Sequence, residues 1–168
     1  MTTSEMEKLI YWYFQDSSLV IVPKVSGNNW WFDSETMLWK NIVNHECDML
    51  IISKKCYLTE VEIKISLSDL KADFKKKHQH KDENIKNFYY AFPEEMKAKA
   101  VELIPEEAGI LIAVKKHLND GYEYREIKCY RKPKINKLAK PINDIVLSKI
   151  YRLGYLRYWN YRMSGGNQ

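Results

Sequence analysis

The sequence has 168 residues, 45% of them hydrophobic, and a formal net charge of +5. That length suits one domain, and the apolar share suffices for one packed core, which argues against a disordered chain. No apolar stretch reaches the ~18 residues of a membrane-crossing helix, and MTTSEMEKL lacks the basic-then-apolar order of a signal peptide, so a cytoplasmic protein without a membrane partner is expected.

The charge is unevenly placed. Residues 1–124 carry 16 Lys/Arg and 20 Asp/Glu, whereas residues 125–168 carry 11 Lys/Arg and 2 Asp/Glu. A basic C-terminal part suits a polyanion such as nucleic acid, because clustered cations release counterions from a phosphate backbone. A solvated basic surface is the alternative. Cys47, Cys56 and Cys129 form no CxxC pair, which argues against a disulfide framework or a structural zinc. Cys47 and Cys56 lie in apolar runs and read as small core residues.

In chain order, residues 4–16 read as a helix, with Ser4 and Glu7 as its capping box and Met6, Ile10, Tyr13 and Phe14 on one face. Residues 19–25 read as a strand in which Pro23 points to an edge or a bend. Residues 26–41, with three Trp and a Gly-Asn-Asn turn, give no clear pattern. Residues 48–53, DMLIIS, read as a strand buried on both faces. Residues 57–65, YLTEVEIKI, alternate with period two, which puts Leu58, Glu60, Glu62 and Lys64 on one side. A helix over 67–78 follows, opened by Ser66 or Ser68, with Asp69 near its N-terminus. Strands at 87–92, 109–115 and 124–130, a short helix around 94–102 and a long final helix at 142–162 complete the chain. This order predicts an α/β fold around one mixed sheet flanked by helices.

The chemistry concentrates on Asp48, Glu62 and Lys64. Asp48 heads one strand, Glu62 and Lys64 share a side of the next, and the tight connection at 53–57 makes the strands antiparallel neighbours. Two carboxylates on adjacent strands suit one hard cation, Mg²⁺ or Mn²⁺, with the Ile63 carbonyl as a third ligand. Such an ion activates water for phosphodiester hydrolysis, and Lys64 is the cation for the charge that builds on the phosphoryl oxygens. The rival reading is an amphipathic strand whose outer face happens to carry Glu-Glu-Lys. Glu60 shares that face; a second metal, a lysine partner and plain solvation are its options. His45, three residues before Asp48, is a further candidate. Lys76 and Lys77, in the run KKKHQHK, suit phosphate.

Residues 45–64, HECDMLIISKKCYLTEVEIK, resemble the Asp-then-ExK core of PD-(D/E)XK nucleases. The segments 64–77, 87–95 and 104–114 are similar to the MmcB-like DNA-repair family within that superfamily. The resemblance implies a restriction-endonuclease-like core, a metal on Asp48 and Glu62, a catalytic Lys64, and supporting roles for Ser66, Asp69, Asp73 and Lys75. Cys47 stands where the superfamily pattern has Pro. A Glu on the first helix often approaches the metal in such enzymes, a place for Glu7 or Glu5, against Glu7 as a cap.

On the last helix, Ile142, Ile145 or Val146, Ile150, Leu153 and Leu156 or Asn160 follow a sheet-facing line. Tyr151, Tyr155, Tyr158 and Arg162 follow another, with Arg152 nearby. These rings and cations suit stacking on unpaired bases, or else close the core or make a subunit contact. Arg131, Lys132 and Lys134, in RKPKINKLAK, are further nucleic-acid candidates, because that run lacks an apolar face for lipid. No GxxxxGK[ST] or GxGxxG motif is present, which argues against a nucleotide-driven motor or a dinucleotide cofactor. The expectation is a metal-dependent nuclease acting on DNA in repair or recombination. The alternatives are a non-catalytic nucleic-acid-binding module of the same fold and a protein-binding aromatic surface. Self-association as a homo-oligomer stays open.

Overall fold

The computed structural model describes residues 1–26, 30–33, 37–75, 82–118 and 121–164. The first helix, α1 (Thr3–Phe14), is capped by Thr2, whose side chain accepts the Glu5 amide while the Glu5 carboxylate bonds back to Thr2. The capping box is therefore Thr2–Glu5 rather than Ser4–Glu7, and Glu7 lies within the helix. Two overlapping Ser/Thr-x-x-Glu boxes exist here, and the earlier one brings Met6 and Ile10 onto the sheet.

The main sheet has six strands in the order β1-β4-β5-β6-β7-β8. They are β1 (Ser18–Val25), β4 (Cys47–Ser53), β5 (Leu58–Ile63), β6 (Ile85–Pro93), β7 (Gly109–His117) and β8 (Glu123–Arg131). Strands β1, β4 and β5 pair antiparallel, β5, β6 and β7 pair parallel, and β8 returns antiparallel on β7. Pro23 sits on the edge strand, where a missing ladder donor is tolerated. The unassigned stretch contains a separate hairpin, β2 (Trp30–Asp33) with β3 (Leu38–Asn41).

The parallel pairs require crossovers, which are α2 (Leu67–Asp73) between β5 and β6 and α3 (Lys97–Leu103) between β6 and β7. Helix α2 ends at Asp73, short of the expected 78, so Lys75 lies beyond it and is exposed. The chain closes with α4 (Asp144–Met163), capped by Asn143.

Helix α1 covers one face of the sheet, where Met6 and Ile10 pack on Met49, Ile51, Val61, Ile63 and Leu111. The opposite face takes α2, α3 and α4. Val146 and Ile150 of α4 pack on Val22, Leu50, Ile52 and Leu58, while Leu70 and Ala100 pack on Tyr90, Phe92 and Ile110. Strand β5 is buried along its whole length, so neither of its faces is an outer one. Cys47 is core, but Cys56 is not; it takes φ 59° in the turn whose amide bonds the Ser53 carbonyl. Among the described residues, no helix is long and apolar enough to cross a membrane.

Candidate active site

Strand β4 enters the sheet at Cys47, so Asp48 lies at its open end. The β4–β5 register pairs Met49 with Val61 and Leu50 with Glu60; continued by one step, it sets Asp48 opposite Glu62. The Asp48 carboxylate holds this end together by accepting the Ile63 amide at 2.8 Å. Glu62 pairs in register with Tyr90 on the parallel neighbour β6.

Lys64 follows β5 directly, and its amide donates to the Ala91 carbonyl. Its side chain is 2% exposed. The ammonium donates to Glu62 Oε1 at 2.7 Å and to Asp73 Oδ1 at 3.0 Å. Tyr90 completes the chain by donating its hydroxyl to Asp73 Oδ2 at 2.9 Å. Asp73 reaches this place because Ser66 caps α2, accepting the Asp69 amide, and the helix then carries its last residue over the sheet. Ser66 and Asp69 are themselves exposed, so the structure gives them a part in helix entry rather than in the buried network.

One pair deeper, Glu60 is fully buried and its Oε1 lies 2.7 Å from His45 Nε2. Glu60 is therefore not a solvated strand residue. Helices cover that face, and a buried carboxylate needs a partner there. His45, three residues ahead of Asp48, supplies it.

Asp48, Glu60, Glu62 and Asp73 gather at this end of the sheet, with Lys64 bonded to Glu62 and Asp73 and His45 to Glu60. Burial disfavours the charge of Lys64, but its bonds to Glu62 and Asp73 outweigh that and raise its pKa. Burial, then the charges of Glu60 and Glu62, push the Cys47 thiol up. Burial, then Asp73, do the same to Tyr90. Glu7 on α1 is raised too, chiefly by its burial; Lys24 opposes this rise and Asp48 adds to it. Glu7 thus belongs to the Asp48 neighbourhood instead of a cap. A cavity of about 950 Å³ borders the network and is lined by Asp73, Tyr90, Phe74, Phe88, Lys86 and Lys134; another, of about 340 Å³, lies under α1 and is lined by Glu7, Tyr11, Trp12, Pro23 and Met49.

The basic candidates separate by surroundings. Arg131 turns inward, its guanidinium donating to the carbonyls of Ile104, Pro105 and Ala108. It ties the approach to β7 and commits these donors to backbone. Lys132 is exposed, and Lys134 pairs loosely with Glu107 at 3.4 Å. Lys76 and Lys77 lie outside the described residues. On α4, the sheet-facing line is Val146 and Ile150 with Leu153 partly buried; Ile145, Leu156 and Asn160 face solvent. Tyr151, Tyr155, Tyr158, Arg152 and Arg162 are exposed, as is Trp159, whose ring lies edge-on to Tyr155 and Tyr158.

A family model described as DNA repair protein MmcB-like matches residues 42–159. This chain belongs to the MmcB-like family. The match runs from the residues before β4 into the last turns of α4, so it takes in the whole Asp48–Glu62–Lys64–Asp73–Tyr90 group and leaves α1 and β1 outside. The MmcB-like chain also shares its fold with the SPO1766 protein of unknown function from Silicibacter pomeroyi, at TM-score 0.67 and 19% identity over 100% of this chain and 97% of that one. At that identity the likeness speaks for the fold alone. No curated protein matches the MmcB-like chain.

Sequence reasoning missed Tyr90 and undervalued His45. Tyr90 sits in a run, NFYYAF, whose strand character was legible; its register with Glu62 was not.

Proposed function

We propose that this MmcB-like chain is a metal-dependent DNA nuclease of the PD-(D/E)XK kind. The observation that carries the reading is the register that sets Asp48 against Glu62, with Lys64 bonded to the latter. Among the described residues, no group of three or more His, Cys, Asp or Glu side chains is placed to hold a metal ion. Mg²⁺-type sites need none, since one or two carboxylates, waters and a phosphate oxygen suffice. The donor set fits such an ion, since the Asp48 and Glu62 carboxylates and a backbone carbonyl are all hard oxygen ligands.

Asp48 and Glu62, with the Ile63 carbonyl, would hold the ion, which would polarise the phosphoryl group and lower the pKa of a bound water. The chain's own groups prepare that chemistry. Lys64 fixes the Glu62 carboxylate, and Asp73 with Tyr90 fixes Lys64. An ammonium has three donors, and two are spent on carboxylates, which reserves one for a phosphoryl oxygen.

A second reading, a DNA-binding module without catalysis, draws support from the deep burial of Lys64 between two carboxylates. End-labelled single-stranded, duplex and branched DNA incubated with Mg²⁺ or Mn²⁺ separates the two. Cleavage is expected, removed by EDTA and reduced on the order of 10²–10³-fold or more in Asp48→Asn. Asp48 is only half-buried, so this variant should fold, as circular dichroism will check. Salt-sensitive binding with no cleavage under any metal would reject the nuclease and favour the module.

A further inference from the structure

Strand β1 holds one residue whose conformation the local sequence does not call for. Lys24 has φ 52°, in the left-handed region that glycine or asparagine enters at less cost. The other non-glycine residues of this kind, Met37 and Cys56, lie in turns; Lys24 lies inside a strand.

Its setting shows what the conformation does. Val22 and Val25 are three residues apart, yet both pack into the core beneath α4. A regular strand would point them to opposite faces. The paired strand repeats the pattern, since Cys47 and Leu50 enter the same core. Both strands therefore turn over together between these residues, and Lys24 and Asp48 lie in the turnover. The register pairs Pro23 with Met49 and Val25 with Cys47, which sets Lys24 opposite Asp48. Three neighbouring strands thus present Lys24, Asp48 and Glu62 side by side at the open end of the sheet.

The Lys24 backbone is also held from outside its strand. Arg157 of α4 donates Nη2 to the Lys24 carbonyl, across 133 positions of sequence. Arg157 is partly buried, and burial lowers its pKa, a cost that a helix-surface cation has no need to bear. The Lys24 side chain itself is exposed. Its charge is felt at Glu7, as is that of Asp48, so the three groups share one neighbourhood. Lys64, by contrast, is enclosed by Glu62 and Asp73. An exposed cation beside the carboxylates is placed to meet a neighbouring backbone phosphate arriving from solvent, apart from the reacting phosphoryl group.

We propose that Lys24 contacts a backbone phosphate of bound DNA at the open end of the site, and that Arg157 is a positioning residue that holds it there. This rests on the reading of the Asp48 edge as the DNA-facing one, but not on cleavage. A strained conformation kept at a cost is a pointer to use, and a lysine in place of glycine or asparagine supplies that use.

The test is titration of duplex and single-stranded DNA at several salt concentrations in EDTA, with Lys24→Asn, Lys24→Arg, Arg157→Leu and the double variant Lys24→Asn/Arg157→Leu. Asparagine tolerates positive φ, so Lys24→Asn should match or exceed the wild-type Tm while binding on the order of tenfold more weakly at low salt. Its salt slope should fall by about one. Lys24→Arg should retain affinity and slope. Arg157→Leu should lose as much as Lys24→Asn, and the double variant no more than either. Wild-type affinity and slope in folded Lys24→Asn would overturn the phosphate contact. Additive losses in the double variant would overturn the positioning role. Absence of cleavage by the wild type would sink the nuclease reading and leave these binding results to decide this one.

Discussion

The centre and the periphery of this molecule use the same ionic side chains in opposite ways. At the centre, Lys64, Glu62 and Asp73 are almost wholly removed from water, and each ionic group is fixed by another. At the β8 edge, Arg125 and Lys115 meet Glu95 with about half of the Glu95 side chain exposed. On α4 the cations Arg152 and Arg162 stand among exposed rings. Desolvation makes a central group costly to lose, whereas a peripheral group is screened and replaceable. Charge at the centre therefore specifies geometry, and charge at the surface sets how strongly a polyanion is attracted.

The sharpest way to break this contrast is Lys64→Met. The methionine fills the space but leaves Glu62 and Asp73 buried without their ammonium. Breaking a buried pair from one side costs roughly 3–5 kcal/mol, or on the order of 10 °C in Tm for a domain of this size. The pH dependence follows from the raised pKa of Lys64. The pair's stabilisation is fully present below about 10.5, the ordinary lysine value, and is lost as pH rises through the higher folded value. Thermal melts of wild type and variant from pH 6 upward check this. Equal stability at pH 7 would show that the network is not the structural centre described above. Loss of cleavage in Lys64→Ala would thus report on folding as well as chemistry, which is why Asp48→Asn is the cleaner catalytic probe.

The strand pairing of Asp48 with Glu62 was legible because period-two alternation and a tight turn are local signals, and Ser53 to Tyr57 obeys them. The burial of Glu60 and Glu62 was not. It depends on α2, α3 and α4 covering the same face, and those helices come from residues 67–163, whose docking no local pattern states. The same non-locality hid Tyr90, which meets Asp73 only through the parallel register of β5 and β6. The capping box was ambiguous because Thr2–Glu5 and Ser4–Glu7 satisfy one rule equally well. The bonds of Arg131 to backbone were not legible, because charge density alone does not distinguish a guanidinium facing solvent from one facing three carbonyls. The aromatic row on α4 was legible as a surface feature, since helical spacing separates it from Val146 and Ile150.

That row gives the next prediction. Tyr155 and Tyr158 are 61% and 57% exposed, so replacing both with Ala should leave the fold intact. Each ring that stacks on a base contributes ~1–3 kcal/mol, and only unpaired bases offer a free face. The double variant should therefore bind single-stranded and branched DNA more weakly by at least about fivefold per ring, with a smaller loss on plain duplex. Arg152 and Arg162 replaced together should weaken all forms and flatten the salt dependence. Equal losses on duplex and single strands for the tyrosine variant would reject stacking. Unfolding would show that the periphery is as structural as the centre.

The smallest expected effect belongs to the exposed counterpart of Lys64, the cluster around Glu95. Arg125 grips the Glu95 carboxylate with both terminal nitrogens, at 2.9 and 3.5 Å, and Lys115 adds a second cation at 3.5 Å. These contacts, the Arg125 hydrogen bond first, lower the Glu95 pKa to about 2. For a carboxylate lowered on folding, the stabilisation is present above the ordinary value near 4.5 and disappears as pH falls toward 2. Solvent screens this exposed cluster, and half-exposed pairs contribute roughly 0.2–1 kcal/mol when measured. Glu95→Gln should therefore lower Tm at pH 7 by no more than about 4 °C. The difference should shrink at pH 2, where wild-type Glu95 is itself about half protonated, and again in 1 M salt, where the Debye length falls to about 3 Å. Melts at pH 7 and pH 2, each at low and high salt, decide the matter. A loss at pH 7 as large as that of Lys64→Met, or one insensitive to salt, would mean that geometry rather than burial sets the worth of an ion pair in this fold, and the contrast between centre and periphery would fail.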